Sequence, residues 1–263
     1  KPRDLGAEVA FSRLLAWLND RRAPVPFRPI PMLNRATHGW VEHFGAAPCA
    51  DVSGARRFHE RAGALLCLLY VLDATDCHHG NVLAHDDHPM LIDLETLLHP
   101  FRGPESVPAG FGANLRAQEI IWASVSRTAL LPGWLPGNVP GEAFDVGGLA
   151  PPAKQIAFRV PRWEQTNTDA MMLRLEPLLP GPQRNIPLVS EADLGPEERA
   201  SEIVTGFRQT WDFRRAREEE LLAPDGPLGF FAGRRSRLVA RATQVYTGLL
   251  MEALKPEFLR QGI

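Results

Sequence analysis

A short polar run at residues 76–81, with the sequence DCHHGN, contains the residue types that phosphoryl transfer requires. The run has the form D-x-H-x-x-N, and an apolar stretch that ends in Asp93 follows it. In phosphoryl transfer one carboxylate orients or deprotonates the attacking hydroxyl, while an Asn and a second carboxylate hold Mg²⁺ on the triphosphate. We therefore interpret Asp76 as the catalytic base and His78 as a contact of the phosphate or the transition state. Asn81 and Asp93 are the predicted Mg²⁺ ligands.

Two short apolar runs, residues 82–84 and 89–92, lie on either side of a turn-like sequence at 85–87. Such a pattern is typical of a β-hairpin. The hairpin brings Asn81 and Asp93 to the same end, close enough to share one cation. The spacing therefore predicts a small metal site at the open end of a hairpin.

Two other interpretations of the same loop stay open. A loop that contains Asp, His and Asn is often simply a turn, since these side chains hydrogen-bond the nearby backbone. A zinc cluster is the other alternative, built from Cys77, His78, His79, His85 and His88. These residues lack the paired spacing of zinc ligands, and a zinc site leaves Asn81 and Asp93 without a role.

The N-terminal residues fit a second part of a kinase-like site. Periodic apolar residues predict a helix over 5–19, with Asp4 as its N-cap. Kinases place a strand-borne Lys next to the α- and β-phosphates and pair it with a Glu on the following helix. Lys1 and Glu8 occur in that order, so we assign both to nucleotide binding. The alternative is that Lys1 is only a solvated terminus.

A helix predicted over 56–72 has a wide apolar stripe and is expected to be central and buried. It leads directly into the 76–81 loop. Upstream, residues 38–44 have the pattern of a short strand and a connector. By its order along the chain this stretch is a candidate for the hinge that receives an adenine, which adds Glu42 to the nucleotide-binding residues. A buried Trp40 in a small-lobe sheet is the alternative.

The second half of the chain alternates irregular and helical patterns. Gly and Pro mark the irregular stretches, and apolar periodicity marks the helices. The predicted elements are an irregular stretch at 101–112, a helix at 114–128, a long connector at 131–153, an extended segment at 155–164 and one helix at 196–222.

A final predicted helix carries a cluster of cationic and hydroxyl residues. Helical spacing places Arg237 and Arg241 one turn apart on one face, with Thr243 nearby. Because guanidinium groups match the geometry of phosphate oxygens, we interpret this face as an anion site. A basic, solvent-exposed helix surface is the alternative.

Length and composition set outer bounds on the function. The chain has 263 residues, which suffices for one large domain or two lobes. Its formal net charge of −2 gives no basic excess, so we expect no nucleic-acid partner. No apolar run approaches the length of a membrane span. Three cysteines without framework spacing indicate a reducing, cytoplasmic compartment.

Taken together, the motifs resemble those of one family. A D-x-H-x-x-N loop followed by an Ile-Asp strand is similar to the catalytic and metal loops of lipid kinases. The wider pattern resembles the dehydratase domain of class II lanthipeptide synthetases, the LanM type. The segments that carry this resemblance are KPR at 1–3, HGWVE at 38–42, TDCHHGN at 75–81, PMLIDLETL at 89–97 and R-x-x-x-R-x-T-x-x-Y at 237–246.

The resemblance implies an α+β, lipid-kinase-like catalytic fold. Its C-lobe is mostly helical, a small β-hairpin carries the metal site, and the N-lobe is incomplete. Residues 1–263 then form the central to C-terminal part of the dehydratase domain. Within it, residues 1–50 are the remnant of the small lobe and the hinge, and residues 51–263 are the large lobe.

The resemblance also implies an activity, cofactors and partners. Members of the family use ATP and Mg²⁺ to phosphorylate Ser and Thr side chains of a precursor peptide. They then eliminate the phosphate, which leaves dehydroalanine or dehydrobutyrine. The precursor carries a leader, and the full-length protein adds the missing N-terminal part of the dehydratase domain and a zinc-dependent cyclase domain.

Carried over by position, the functional residues of the family fall on the motifs described above. Lys1 contacts the phosphates. Phosphorylation and metal binding are assigned to Asp76, His78, Asn81 and Asp93. Phosphate elimination is assigned to Arg237 and Thr243, with Arg241 nearby. Elimination expels a phosphate, so it needs cationic donors on the leaving oxygens and a base for the α-proton.

Two further functions stay open. A small-molecule or lipid kinase that performs no elimination has no need of the Arg237 and Thr243 pair. A pseudokinase-like module that only binds the leader peptide has no need of Asp76, Asn81 and Asp93.

Overall fold

The described residues combine helices with short antiparallel hairpins, which confirms the predicted α+β class. The computed structural model describes residues 1–99, 112–136, 143–150, 158–178, 184–187, 189, 199–239 and 243–253. The helices are α1 (Gly6–Asp20), α2 (Val52–Val71), α3 (Gly112–Ala123), α4 (Ala200–Arg215), α5 (Glu218–Leu222) and α6 (Thr243–Ala253). The strands are β1 (Met32–Arg35), β2 (His38–Val41), β3 (Val82–His85), β4 (His88–Leu91), β5 (Trp134–Pro136), β6 (Ala143–Asp145), β7 (Phe158–Glu164) and β8 (Met172–Leu178). Within the described residues each strand pairs with its neighbour, as β1–β2, β3–β4, β5–β6 and β7–β8.

Helix α2 is the central element of the core. Asp51 caps it, because the Asp51 carboxylate accepts a hydrogen bond of 2.8 Å from the backbone N–H of Gly54. This cap starts the helix at Val52, ahead of the predicted start at residue 56. Phe58 and Leu69 on α2 are fully buried, so the wide apolar stripe lies inside the protein as predicted.

One hydrophobic cluster crosses the predicted lobe boundary at residue 50. Phe11 and Leu14 on α1 belong to the same buried cluster as Phe58 and Leu69 on α2. The described core therefore does not separate at this boundary, and the division into residues 1–50 and 51–263 stays a prediction.

Helices α2 and α4 approach each other so closely that glycine is required at two positions. A Cβ at Gly63 would lie 1.9 Å from the carbonyl oxygen of Ile203. A Cβ at Gly206 would lie 1.8 Å from the carbonyl oxygen of Glu60. Since real Cβ atoms do not approach backbone so closely, these two glycines set the distance between the helices.

The β3–β4 hairpin confirms the strands that the sequence predicted on either side of a turn. Val82 lies opposite Leu91, and His85 lies opposite His88. Residues 86–87 therefore form a tight two-residue turn at one end of the hairpin. The other end opens toward the polar residues that precede β3 and follow β4.

Asp87 fastens the turn of this hairpin to α2. Its carboxylate lies 2.6 Å from Arg57 Nε and 2.5 Å from Arg61 Nη1. Burial alone would raise the pKa of Asp87, but hydrogen bonds from the two guanidinium groups lower it to about 2. The hairpin is thus held at its turn by two charge-assisted contacts, which fixes the position of its open end.

The connector predicted at 131–153 contains a hairpin, so that prediction is wrong for strands β5 and β6. The Asp145 carboxylate accepts hydrogen bonds of 2.8 Å from the N–H groups of both Gly133 and Gly147. These bonds hold the two strand ends together. The Gly and Pro pattern alone predicted irregular structure because it contains no information about this contact.

Other predicted elements are confirmed in part. The extended segment at 155–164 is strand β7 over its described part, and its partner β8 was not predicted. The helix predicted at 114–128 stops at Ala123, where the Ser124 side chain caps a short 3₁₀ turn, Val125–Thr128. The helix predicted at 196–222 is two helices, α4 and α5, over its described part. The irregular stretch predicted at 101–112 lies outside the described residues, except for Gly112.

Helix α1 is confirmed, although its first turn differs from the prediction. Leu5, not Asp4, occupies the N-cap position. The Asp4 carboxylate still accepts a hydrogen bond of 3.1 Å from the N–H of Gly6. None of the helices within the described residues combines the length and the hydropathy that a membrane crossing needs.

Candidate active site

The 76–81 loop is closed by its own side chains and fastened to the segment that follows β4. The Asn81 amide nitrogen donates a hydrogen bond of 2.8 Å to the carbonyl of Asp76. Thr96 Oγ1 donates a hydrogen bond of 2.5 Å to the carbonyl of Thr75. These bonds hold the loop and the Asp93 segment in one fixed arrangement.

Asp76 has a backbone conformation that few non-glycine residues adopt. Its φ angle is 65°, in the left-handed region. Asp tolerates this region better than most residues, and Asp73 and Asp86 adopt it as well. The bond from Asn81 to the Asp76 carbonyl constrains this conformation. The Asp76 side chain is 43% exposed, so its carboxylate is accessible to a substrate.

His78 lies beside this carboxylate, with Nε2 3.8 Å from Asp76 Oδ1. His78 Nδ1 accepts a hydrogen bond of 3.0 Å from the N–H of Gly80. Burial lowers the pKa of His78 by more than the charge of Asp76 raises it, so the ring is neutral at pH 7. His78 Nε2 also lies 3.4 Å from the Asn81 amide nitrogen, so the ring stands between the side chains of Asp76 and Asn81.

Asn81 and Asp93 lie at the open end of the β3–β4 hairpin. The N–H of Ile92 donates a hydrogen bond of 3.0 Å to the carbonyl of Asn81, and Asp93 is the next residue. The amide nitrogen of Asn81 is used inside the loop, so its Oδ1 is the amide atom left for a cation. Amide and carboxylate oxygens are ligands that Mg²⁺ prefers, so this pair fits the predicted ion.

Lys1 reaches the same place from the N-terminal end of the chain. Its Nζ lies 3.8 Å from Asp93 Oδ1 and 4.0 Å from Glu8 Oε1, and it donates to the carbonyl of Ile92 at 2.5 Å. Glu8 is only 3% exposed. The structure therefore brings Lys1 and Glu8 to Asp93, and the alternative of Lys1 as a merely solvated terminus is wrong.

Arg3 is a residue of this site that the sequence reasoning missed. Its Nη2 lies 2.5 Å from both Glu8 Oε1 and Asp93 Oδ1, and its Nε lies 3.3 Å from Glu95 Oε2. Burial alone would lower the pKa of Arg3, but these three carboxylates raise it. The sequence did contain a signal for Arg3. Lys1 precedes a proline, which favours an extended backbone, and alternate residues of an extended segment point the same way, so Arg3 is expected on the same side as Lys1.

Arg237 approaches the site from the C-terminal part of the chain. Its backbone N–H donates a hydrogen bond of 2.6 Å to the carbonyl of Glu95, and its guanidinium donates to the Glu95 carboxylate. Hydrogen bonding to Glu95 and the charges of Glu95, Asp76 and Asp93 raise the pKa of Arg237. Arg237 is thus within the electrostatic reach of both predicted phosphorylation carboxylates.

The prediction that Arg237 lies on a helix with Arg241 is wrong. Helix α6 begins at Thr243, and residues 234–239 are not helical. The N–H groups of Arg237 and Val239 donate to the Glu95 carbonyl and to His99 Nε2, so they are not available to a helix. Arg241 lies outside the described residues, and the structure describes the backbone of Thr243 but not its side chain.

Residues 38–44, the predicted hinge, contain a short strand, but Trp40 and Glu42 in this stretch are both exposed. Trp40 on β2 is 56% exposed, so the alternative of a buried Trp is wrong. Glu42 follows β2 and is exposed, and its backbone N–H donates to the carbonyl of Pro31 at 3.0 Å. The Glu42 carboxylate makes no ion pair with any described residue, so the structure does not join Glu42 to the Lys1 and Asp93 group.

The zinc alternative has no support in the described part of the chain. No group of three or more His, Cys, Asp and Glu side chains lies in a position to hold a metal ion there. Cys77 is 1% exposed, and burial raises the pKa of its thiol to about 12. Cys77 also belongs to the main buried hydrophobic cluster, so it packs as a core residue.

Comparisons with known proteins agree with the motifs. A family model described as "Domain of unknown function (DUF4135)" matches residues 1–263. The lacticin 481/lactococcin biosynthesis protein LcnDR2 of Lactococcus lactis subsp. lactis is 30% identical to the chain over 107 residues. This match covers 38% of the chain and 12% of the relative, so the chain matches only a small part of that protein. The resemblance that the motifs predicted is confirmed by these two matches.

Proposed function

The chain belongs to the DUF4135 family, a domain associated with LanM-type lantibiotic synthetases, and we propose that it dehydrates Ser and Thr residues of a lanthipeptide precursor. The proposed reaction uses ATP in two steps, phosphorylation of the hydroxyl and elimination of the phosphate. The products are dehydroalanine and dehydrobutyrine. The proposed substrate carries a leader, and the proposed full-length synthetase also contains the rest of the dehydratase domain and a zinc-dependent cyclase domain.

One observation carries this proposal: residues from distant segments meet around Asp93. Lys1 and Glu8 come from the N-terminal segment, and Asn81 comes from the loop before β3. In kinases a Lys–Glu pair serves the nucleotide phosphates, and an Asn and an Asp hold the metal ion. The same four residue types in one place support a lipid-kinase-like catalytic fold.

In the proposed first step, the hydroxyl oxygen of the substrate bonds to the γ-phosphorus of ATP. The bond between that phosphorus and the bridging oxygen breaks, and ADP leaves. Asp76 accepts the hydroxyl proton, which suits a half-exposed carboxylate in a rigid loop. His78 lies beside Asp76, where its ring contacts the phosphate or the transition state in the proposed step.

Asn81 and Asp93 would hold Mg²⁺, and Lys1 would contact the phosphates. When bound, the ion neutralises negative charge on the transferring phosphoryl group. Glu8 keeps Lys1 beside Asp93, since both carboxylates lie within 4.0 Å of the Lys1 ammonium group.

In the proposed second step, a base removes the α-proton, the Cβ–O bond breaks, and the double bond forms as inorganic phosphate leaves. Arg237 binds the phosphate oxygens and so stabilises the leaving group. The Arg237 side chain is 60% exposed, and its Nη1 group donates to the Glu95 carboxylate. A guanidinium group has five N–H donors, so several remain for phosphate. Thr243 and Arg241 are proposed to assist.

Mass spectrometry of a precursor peptide tests both steps. The full-length synthetase, its Arg237→Ala variant and its Asp93→Asn variant are each incubated with ATP, Mg²⁺ and a leader-bearing peptide. We expect loss of water with the unmodified enzyme and accumulated phosphopeptide with Arg237→Ala. Asp93→Asn is expected to leave the peptide unchanged, because the metal site is lost.

Two other results would replace the proposal. If the unmodified enzyme only adds phosphate to its substrate, the domain is a kinase without elimination. If a verified cognate peptide binds but stays unmodified in every reaction, the domain is a leader-binding module.

A further inference from the structure

Glu95 lies between two arginines that are distant in sequence, Arg3 and Arg237. One of its carboxylate oxygens, Oε1, accepts from the Arg237 guanidinium, and the other, Oε2, lies 3.3 Å from Arg3 Nε. Its backbone carbonyl also accepts the N–H of Arg237 at 2.6 Å. Arg237 is therefore held to Glu95 at both its backbone and its side chain.

Glu95 is itself held firmly. Its side chain is 21% exposed, whereas the side chain of Arg237 is 60% exposed. The next residue, Thr96, is 4% exposed and bonds the Thr75 carbonyl at the start of the catalytic loop. An anchored acceptor that pairs with an exposed cation restricts the rotamers of the cation, so Glu95 sets the direction of Arg237.

We propose that Glu95 is the positioning residue that aims Arg237 at the phosphate of the phosphorylated peptide. Arg3 joins the same carboxylate to Asp93, so the ion pairs Arg237–Glu95–Arg3–Asp93 form one continuous chain across the site. This inference rests on the proposed function. Glu95 acts through Arg237 and does not itself touch the substrate.

The experiment isolates elimination from phosphorylation. The full-length synthetase is given a synthetic leader-bearing phosphopeptide with Mg²⁺ and ADP but no ATP, and phosphate release is measured over a range of peptide concentrations. The enzymes compared are the unmodified protein, Glu95→Gln, Glu95→Asp, Arg237→Ala and the Glu95→Gln/Arg237→Ala double variant. Glu220→Gln is the matched control, because Glu220 pairs with Arg21 on the surface at 2.8 Å.

We expect Glu95→Gln to slow elimination by about tenfold, because the Gln oxygen can still accept from Arg237 but lacks the negative charge that strengthens and directs the bond. Glu95→Asp keeps the negative charge and is expected to recover part of the rate. The double variant is expected to eliminate no more slowly than Arg237→Ala, because Glu95 acts only through Arg237. Glu220→Gln is expected to match the unmodified enzyme.

Two results overturn this positioning role while the proposed function stands. One is a Glu95→Gln variant that eliminates at the unmodified rate. The other is a double variant that is slower than Arg237→Ala by the full factor of Glu95→Gln, which means that the two residues act independently. If the unmodified enzyme releases no phosphate from the phosphopeptide, the proposed function fails and the positioning role fails with it.

Discussion

The buried carboxylate of Glu8 has a cation at 2.5 Å in Arg3 and a second cation at 4.0 Å in Lys1. Both Glu8 oxygens are buried and lack a hydrogen bond of good geometry to any described residue. The contact with Arg3 is therefore an ion pair, and it compensates a charge that burial alone would make costly. Arg3 thus stabilises the residue that holds Lys1 in the site.

Replacing Arg3 should destabilise the protein through Glu8. We expect Arg3→Met to lower the free energy of unfolding by about 2–4 kcal/mol, since a buried carboxylate then keeps only the more distant Lys1. Denaturant unfolding measures this change. Glu8→Gln in the Arg3→Met background should recover part of the loss. An Arg3→Met protein as stable as the unmodified one contradicts the role given to this ion pair.

At the scale of elements, the β3–β4 hairpin is fixed at its turn by the ion pairs of Asp87 with Arg57 and Arg61, and its open end lies at the candidate active site. The pKa of Asp87 is about 2 in the folded protein, below its ordinary value of 3.8, because Arg61 and Arg57 outweigh the effect of burial. A depressed pKa in the folded state means that the stabilisation is complete above the unfolded pKa. It is lost as the pH falls from about 4 through about 2.

Acid titration of stability tests this anchor. The shift corresponds to about 2 kcal/mol, so Asp87→Asn should remove about that much pH-dependent stability between pH 4 and pH 2. Urea unfolding at a series of pH values gives the slope. Asp86→Asn is the control in the same turn, because Asp86 makes no ion pair with any described residue. Equal slopes for Asp87→Asn and the unmodified protein would show that the two arginines do not anchor the hairpin.

The close contact between α2 and α4 predicts that a larger residue at Gly206 destabilises the protein. Gly206→Ala places a Cβ 1.8 Å from the Glu60 carbonyl oxygen, so one helix must move. We expect a loss of about 1–3 kcal/mol or more in unfolding free energy. Gly248→Ala on α6 is the matched control, since no described atom outside its own helical turn lies within 4 Å of its Cβ position. It should stabilise by about 0.5–1 kcal/mol, as Ala does in a helix. If Gly206→Ala and Gly248→Ala unfold at similar temperatures, α2 and α4 do not pack as closely as described.

At the scale of the whole molecule, the features that the sequence predicted well are local. The apolar stripe of α2, the paired strands around residues 86–87 and the polar 76–81 loop each depend on residues close together in the chain. The α2–α4 contact was missed because a glycine inside a helical pattern indicates only weaker helix propensity, without its packing partner.

The features that the sequence missed depend on contacts between distant segments. Arg3 and Asp93 are 90 positions apart, and no periodicity links them. Arg237 was predicted on a helix because apolar periodicity continues near it. Its N–H bonds the Glu95 carbonyl, 142 positions away, so tertiary contact prevailed over the local pattern. The site roles themselves rest on the resemblance and stay predictions.

In the proposed reaction, one site in this domain performs two separable steps with different residues. The most direct measurement gives Asp93→Asn and Arg237→Ala variants of the full-length synthetase two substrates. One substrate is the leader peptide with Mg²⁺ and ATP, and the other is the same peptide already phosphorylated, with Mg²⁺ and ADP. Mass spectrometry then follows phosphate gain and phosphate loss.

We predict opposite defects in the two variants. Asp93→Asn should leave the hydroxyl peptide unmodified yet still convert the phosphopeptide to the alkene, at a reduced rate, because it keeps Arg237 and Glu95. Arg237→Ala should phosphorylate the first substrate and leave the second unconverted. A mixture of the two variants should dehydrate the hydroxyl peptide if the phosphopeptide exchanges between them. If Arg237→Ala dehydrates the hydroxyl peptide as fast as the unmodified enzyme, Arg237 has no part in elimination and the account of a shared site is wrong.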